Sequence, residues 1–231
     1  MKKLLSYFTF GEILLWSLSV GISVLSFFIF GSRDILSLIA SLVGITSLIF
    51  NAKGNPVGQV LMVVFSILYG IISYSFSYYG EMLTYLGMKM PMSVFALITW
   101  LKNPYAGNRS QVAVNRIGKR DVISLTALTV VVTFVFYFVL KYFNTANMIP
   151  STVSVATSFA AVYLTYKRSP WYAIAYAAND MVLITLWLLA SLSDIRYMSV
   201  VICFMAFLIN DIYGFISWKC AERVQLGETR S

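Results

Sequence analysis

The chain has 231 residues, of which 59% are hydrophobic and only 11% charged, and its mean hydropathy is +0.80. Those values lie outside the range of soluble globular domains, so the net charge of +8 reads as the basic loops of a membrane protein and gives no reason to expect nucleic acid as a partner. With no histidine anywhere, imidazole metal sites and histidine-based catalysis are excluded, and two cysteines, Cys203 and Cys220, are too few for a disulfide framework.

Apolar stretches of about 20 residues, the length that crosses hydrocarbon, predict eight membrane segments. They run over 8–31, 35–53, 58–80, 81–100, 123–143, 152–168, 171–193 and 198–219. The first follows Met1-Lys2-Lys3 but lacks a small-residue cleavage site, so residues 1–33 are expected as a retained, peripheral membrane helix. Residues 34–222 are expected as one transporter domain and 223–231 as a tail. The join Ser77-Tyr78-Tyr79-Gly80-Glu81 predicts a very tight turn. Alternating sides along the chain places 13 basic residues on one face and only Arg33, Lys141 and Arg196 on the other. Both termini are therefore expected in the cytoplasm, with 102–120 as the main cytoplasmic connection.

The chain also contains one unit twice. Lys53-Gly54-Asn55-Pro56 recurs as Lys167-Arg168-Ser169-Pro170, and Ala96-Leu97-Ile98-Thr99-Trp100 recurs as Gly214-Phe215-Ile216-Ser217-Trp218. The predicted plan is an all-α bundle of about seven to eight helices. A first triplet covers 35–100, a single linker helix 123–143 carries the chain back across, and a second triplet covers 152–219. Two similar helix units with a site between them describe a transporter.

Charge inside the membrane is costly, so Lys89, Asp180 and Asp211 are the candidate site. At about 1.5 Å per residue each lies roughly 12–17 Å from its helix end, near one common depth. Asn179 and Asn210 precede the two aspartates. Under the repeat, Asp180 corresponds to Ser66 and Asp211 to Ser93, so the acidic equipment belongs to one half. A buried structural ion pair is the competing explanation. Tyr176, Asp180 and Trp187 share a face, as do Asn210, Tyr213 and Ser217, Phe65 and Tyr69, and Tyr85 and Lys89. Rings of this kind suit a flat or cationic ligand, whereas Trp100, Trp171 and Trp218 fit an interfacial belt. Pro91 lies within a membrane segment and frees the carbonyl of Gly87, which predicts a kink and a hinge beside Lys89. No nucleophile with a base, phosphate loop or metal-binding acidic cluster is evident, so neither a cofactor nor enzymatic chemistry is expected.

Two stretches, Tyr78 to Gly87 continuing through Pro91 to Asn103, and Asn179 with Leu208 to Trp218, resemble the PnuC-type vitamin transporters. Within that family the resemblance is closest to the nicotinamide riboside transporters. It covers roughly residues 33–222 and implies a three-one-three fold like that of the SWEET sugar transporters. It further implies facilitated uptake of nicotinamide riboside across the bacterial inner membrane, with phosphorylation in the cytoplasm trapping the product for NAD synthesis. On matching positions it points to Asn179, Asn210, Tyr213 and Trp171 as substrate-binding residues. Many members carry Trp-x-x-Trp before the asparagine, whereas this chain reads Trp171-Tyr172-Ala173-Ile174-Ala175-Tyr176, so the second tryptophan is missing and Tyr176 is the expected substitute. Thiamine, riboflavin or a sugar are the alternative cargoes, an integral-membrane enzyme is the alternative class, and a homo-oligomer is left open.

Overall fold

The structure is a computed structural model that describes residues 7–30, 35–75, 78–145 and 147–227. Eight helices are long and apolar enough to span a membrane: α1 Phe10–Ile29, α2 Ile35–Ala52, α3 Val57–Ser75, α4 Tyr79–Lys102, α5 Lys119–Tyr142, α6 Met148–Tyr166, α7 Tyr172–Ser191 and α8 Met198–Gln225. A short hairpin, β1 Pro104–Tyr105 and β2 Asn108–Val112, joins α4 to α5 and is a small exception to the all-helical expectation. Its two-residue turn, Ala106-Gly107, has φ of 48° and 78°, the primed geometry that matches strand twist.

Several boundaries differ from the sequence reading. Helix α3 stops at Ser75 and α4 starts at Tyr79, so Glu81 lies inside a helix and not in a turn. Residue Ser77 of that predicted turn, like Arg33 and the first six residues, lies outside the described residues. Helix α8 continues to Gln225, well beyond 219, because its last turns gain polar partners from the 103–118 connection. Helix α4 does not simply kink. Residues Tyr85–Lys89 form a single π-turn in which the Met90 amide donates to the Tyr85 carbonyl. Pro91, lacking an amide proton, sits just after it. The extra residue absorbed by such a turn re-aims side chains locally.

Helices α2, α3 and α4 form one unit and α6, α7 and α8 the other. The units join reciprocally: α8 packs on α2, and α4 packs on α6. Helix α5 flanks α6 on the outside, with Leu140 its sole buried residue among those described. Its Val130, Val131, Phe134 and Phe138 are exposed, as suits a helix surrounded by lipid. Helix α1 flanks α2 in a similar way and also touches α8.

The repeat is visible atom by atom at the rim carrying Lys53 and Lys167. After α2 the Asn55 amide donates to Phe50 O (3.0 Å), and after α6 the Ser169 amide donates to Leu164 O (3.0 Å). Gly54 and Arg168 both adopt positive φ, 66° and 58°. Glycine takes that conformation freely, whereas Arg168 takes it under strain. Two indoles close the rim. Trp218 Nε1 of the second unit donates to Asn51 O of the first (2.7 Å), and Trp100 Nε1 of the first donates to Thr165 O of the second (3.0 Å). Their rings meet with centroids 5.4 Å apart. The following connection binds both halves: the Val112 amide donates to Gly54 O and the Asn115 amide to Arg168 O, each at 2.9 Å.

Candidate functional site

Halfway along the helices the symmetry ends. Lys89, at the end of the π-turn in α4, is 3% exposed, with Nζ 3.9 Å from the centroid of the Tyr85 ring and 5.8 Å from that of Tyr176. Both lie within the reach of cation–π attraction. Asn179 of α7 completes this contact. In the orientation that satisfies all its neighbours, its amide nitrogen donates to Ser158 Oγ (2.7 Å), Ser154 O (3.1 Å) and Thr157 Oγ1 (3.1 Å), and its oxygen accepts from Lys89 Nζ at 3.2 Å. The hydroxyls of α6 thus aim the amide oxygen at the ammonium.

Three carboxyl groups lie within electrostatic range of the same ammonium: Asp180 of α7, Asp211 of α8 and Glu81 of α4. All are buried. Asp180 and Asp211 lie within hydrogen-bonding reach of each other. Asp180 Oδ2 and both carboxyl oxygens of Glu81 have no hydrogen bond among the described residues. The pseudo-equivalents of the aspartates, Ser66 and Ser93, are likewise buried with unpartnered hydroxyls. A layer this rich in unpaired polar atoms costs stability in any helical bundle.

The rings fall into two sets around this layer. Tyr69 and Tyr85 have centroids 4.2 Å apart, Phe65 lies 5.9 Å from Tyr85, and Trp187 Nε1 donates to Tyr69 OH at 2.7 Å. Phe204 and Phe207 of α8 close the same wall, Phe207 lying 5.4 Å from Phe65. Gly44 lets Phe207 approach, since a Cβ there would stand 2.3 Å from the ring. On the other side Tyr176 and Tyr172 lead to the indoles of the rim. The structure therefore brings together Phe65, Tyr69, Tyr85, Lys89, Tyr176, Asn179, Asp180 and Trp187, as the sequence reading expected. Pro91 follows directly.

Three of the expected residues lie apart from this cluster and have other partners. Asn210 Nδ2 donates to Ser19 Oγ of α1 (2.9 Å) and to Ala206 O (2.8 Å). Tyr213 OH donates to Glu12 Oε1 of α1 at 2.9 Å. The Asn210, Tyr213, Ser217 stripe faces α1 and α2, while the neighbouring stripe, Phe204, Phe207, Asp211, Gly214 and Trp218, faces the interior of the bundle. Trp171, the residue that caps the start of α7, is 46% exposed at the basic rim, its ring 5.3 Å from that of Phe215 and 5.2 Å from Lys219 Nζ. Sequence reasoning missed Glu81, Phe204 and Phe207. The periodicity of α8 held the signal for the phenylalanines, which share a face with Asp211. It also missed Glu12, buried in α1, which caps that helix with Thr9 and pairs with Lys53 at 3.0 Å.

A separate cavity of about 190 Å³ opens at the basic rim, lined by Lys53, Gly54, Ser110, Val112, Ser217 and Gln225 among others. It is shaped by the 103–118 connection and does not include the buried carboxyls.

Comparison with known proteins agrees with this architecture. The sequence profile of a family described as Nicotinamide mononucleotide transporter matches residues 34–220. A protein of Neisseria mucosa named Nicotinamide riboside transporter PnuC is 25% identical over 195 residues, which cover 83% of this chain and 74% of the relative. Among solved structures, one titled Crystal structure of the Vitamin B3 transporter PnuC superposes with a TM-score of 0.82 at 23% identity, covering 94% of both chains.

Proposed function

Because the chain belongs to the nicotinamide mononucleotide transporter family, a family of multi-pass membrane transporters, we propose that its cargo is nicotinamide riboside. The cargo moves by facilitated diffusion through the layer around Lys89, Asp180 and Asp211, and phosphorylation on the far side traps it. The observation that carries this reading is the midplane itself: three buried carboxyls and several aromatic faces gathered around a single cation. The riboside carries a flat pyridinium cation and a polar ribose. Ring faces and carboxyls suit the first, and Asn179, Ser66 and Ser93 suit the second. The name of the Neisseria mucosa relative supports the same cargo. The rim carrying Lys53, Lys167 and Lys219 faces the cytoplasm of a bacterial inner membrane, by the excess of basic residues there.

Transport in proteoliposomes tests the reading. Labelled nicotinamide riboside should enter protein-containing vesicles down its gradient, unchanged on recovery and without dependence on an imposed proton gradient. Entry of thiamine or riboflavin in its place would keep the mechanism and change the cargo. Recovery of a chemically altered product would sink the transporter reading.

A further inference from the structure

We propose that the Lys89 ammonium is a tethered stand-in for the cargo's cation, occupying the cation's place over Tyr85 until an arriving pyridinium displaces it. The identity of the cargo rests on the riboside reading, but the chemistry requires only a flat organic cation. Groups such a cation would seek already surround Nζ: the Tyr85 face at 3.9 Å, the Tyr176 ring at 5.8 Å and the Asn179 amide oxygen at 3.2 Å, with the buried carboxyls of Glu81, Asp180 and Asp211 within electrostatic range. Two cations within about 4 Å of each other repel strongly in a low-dielectric interior. Lysine and pyridinium therefore exclude one another at this ring, and one must leave.

The surroundings of Lys89 suit a group that leaves. Its flexible four-carbon stem ends the π-turn, and the next residues are Met90 and Pro91, where the regular hydrogen-bond ladder of α4 is already interrupted. Its counterpart in the second unit, 118 residues on, is Phe207, so the tethered cation exists in one half only. Two consequences follow. Without cargo, the carboxyls keep one positive partner, so the empty carrier changes conformation with less uncompensated buried charge. With cargo, affinity is reduced by the fraction of sites that Lys89 occupies, which favours release. A static structural ion pair would do the first but not the second.

The test is binding of 1-methylnicotinamide, a pyridinium without the ribose, and of uncharged nicotinamide to purified wild-type and Lys89→Met protein by calorimetry. We expect the cation to bind at least about fivefold more tightly to Lys89→Met, while nicotinamide changes little. Unchanged or weaker binding of the cation in a variant that melts like the wild type overturns the proposal, as does failure of 1-methylnicotinamide to bind either protein. Should Lys89→Met not fold, lysine-selective carbon NMR of the wild type decides. One lysine side chain, shifted by the Tyr85 ring current, should move toward its ordinary position on saturation with 1-methylnicotinamide. A resonance that stays in place overturns the proposal. Nicotinamide riboside titrated alongside separates the two ideas: its failure to bind sinks the cargo reading and leaves Lys89 to be judged on the simpler cation.

Discussion

The basic rim and the middle of the bundle are built from the same duplicated unit, yet they treat the duplication in opposite ways. At the rim each half does to the other what is done to it: Trp218 donates to Asn51 and Trp100 to Thr165, and the connection after α4 holds Gly54 and Arg168 alike. In the middle, serine stands in one half where aspartate stands in the other, and Lys89 stands where the other half has Phe207. Symmetric contacts keep two halves in register and carry no information about an asymmetric solute. On the proposed reading, the unequal layer is where a cargo with one charged, flat end and one polar end is recognised.

This contrast is broken most severely at the rim. Trp100→Ala and Trp218→Ala should each cost about 3–5 kcal/mol of stability, the usual range for emptying a buried indole, and the two losses should be similar. Thermal unfolding in detergent measures both. A loss at one tryptophan and none at the other would mean that the reciprocity is geometric only. Next in size comes the middle, where the effects should be unequal. Asp211→Asn should weaken binding of the riboside about 10- to 100-fold, the worth of a charged buried partner, while its counterpart change Ser93→Ala should weaken it much less. Equal losses would make the layer symmetric in function as well as in origin.

The sequence made the rim legible because turn chemistry and tryptophan are local signals: Lys-Gly-Asn-Pro and Lys-Arg-Ser-Pro end one helix and start the next in the same way. Depth along a helix was also legible, which is why Lys89, Asp180 and Asp211 could be placed at one level from spacing alone. The rotational setting of α8 was not. Asn210 and Asp211 are neighbours about 100° apart on the helix, and only the presence of α1 decides which of them meets the interior. That helix brings Glu12 and Ser19, two polar groups that capture Tyr213 and Asn210. Glu81 was hidden for a different reason. Helix α4 begins at Tyr79, ahead of the expected boundary, so a residue that reads as part of a turn is buried within its first turn.

Two smaller effects sharpen the distinction between binding and support. Tyr213→Phe removes only the hydrogen bond to Glu12 and should cost about 0.5–1.5 kcal/mol of stability with riboside affinity unchanged. A clear drop in affinity at equal stability would return Tyr213 to the site. The smallest effect is expected at the opposite rim, where Asp194 bonds Arg196 within one exposed turn. The arginine holds this carboxyl below its ordinary value of 3.8. Any stabilisation it gives is therefore present above that value and fades as pH falls through the lower folded one. Being exposed, the pair should leave the unfolding temperature of Asp194→Asn close to that of the wild type at pH 7.

The most direct measurement is a structure with nicotinamide riboside bound. The nicotinamide ring should lie within about 6 Å of the Tyr85 face, with Asp180 and Asp211 beside it and the Lys89 ammonium moved away. A riboside lodged instead in the rim cavity of Lys53, Ser217 and Gln225, with Lys89 still over Tyr85, would contradict recognition by the unequal layer.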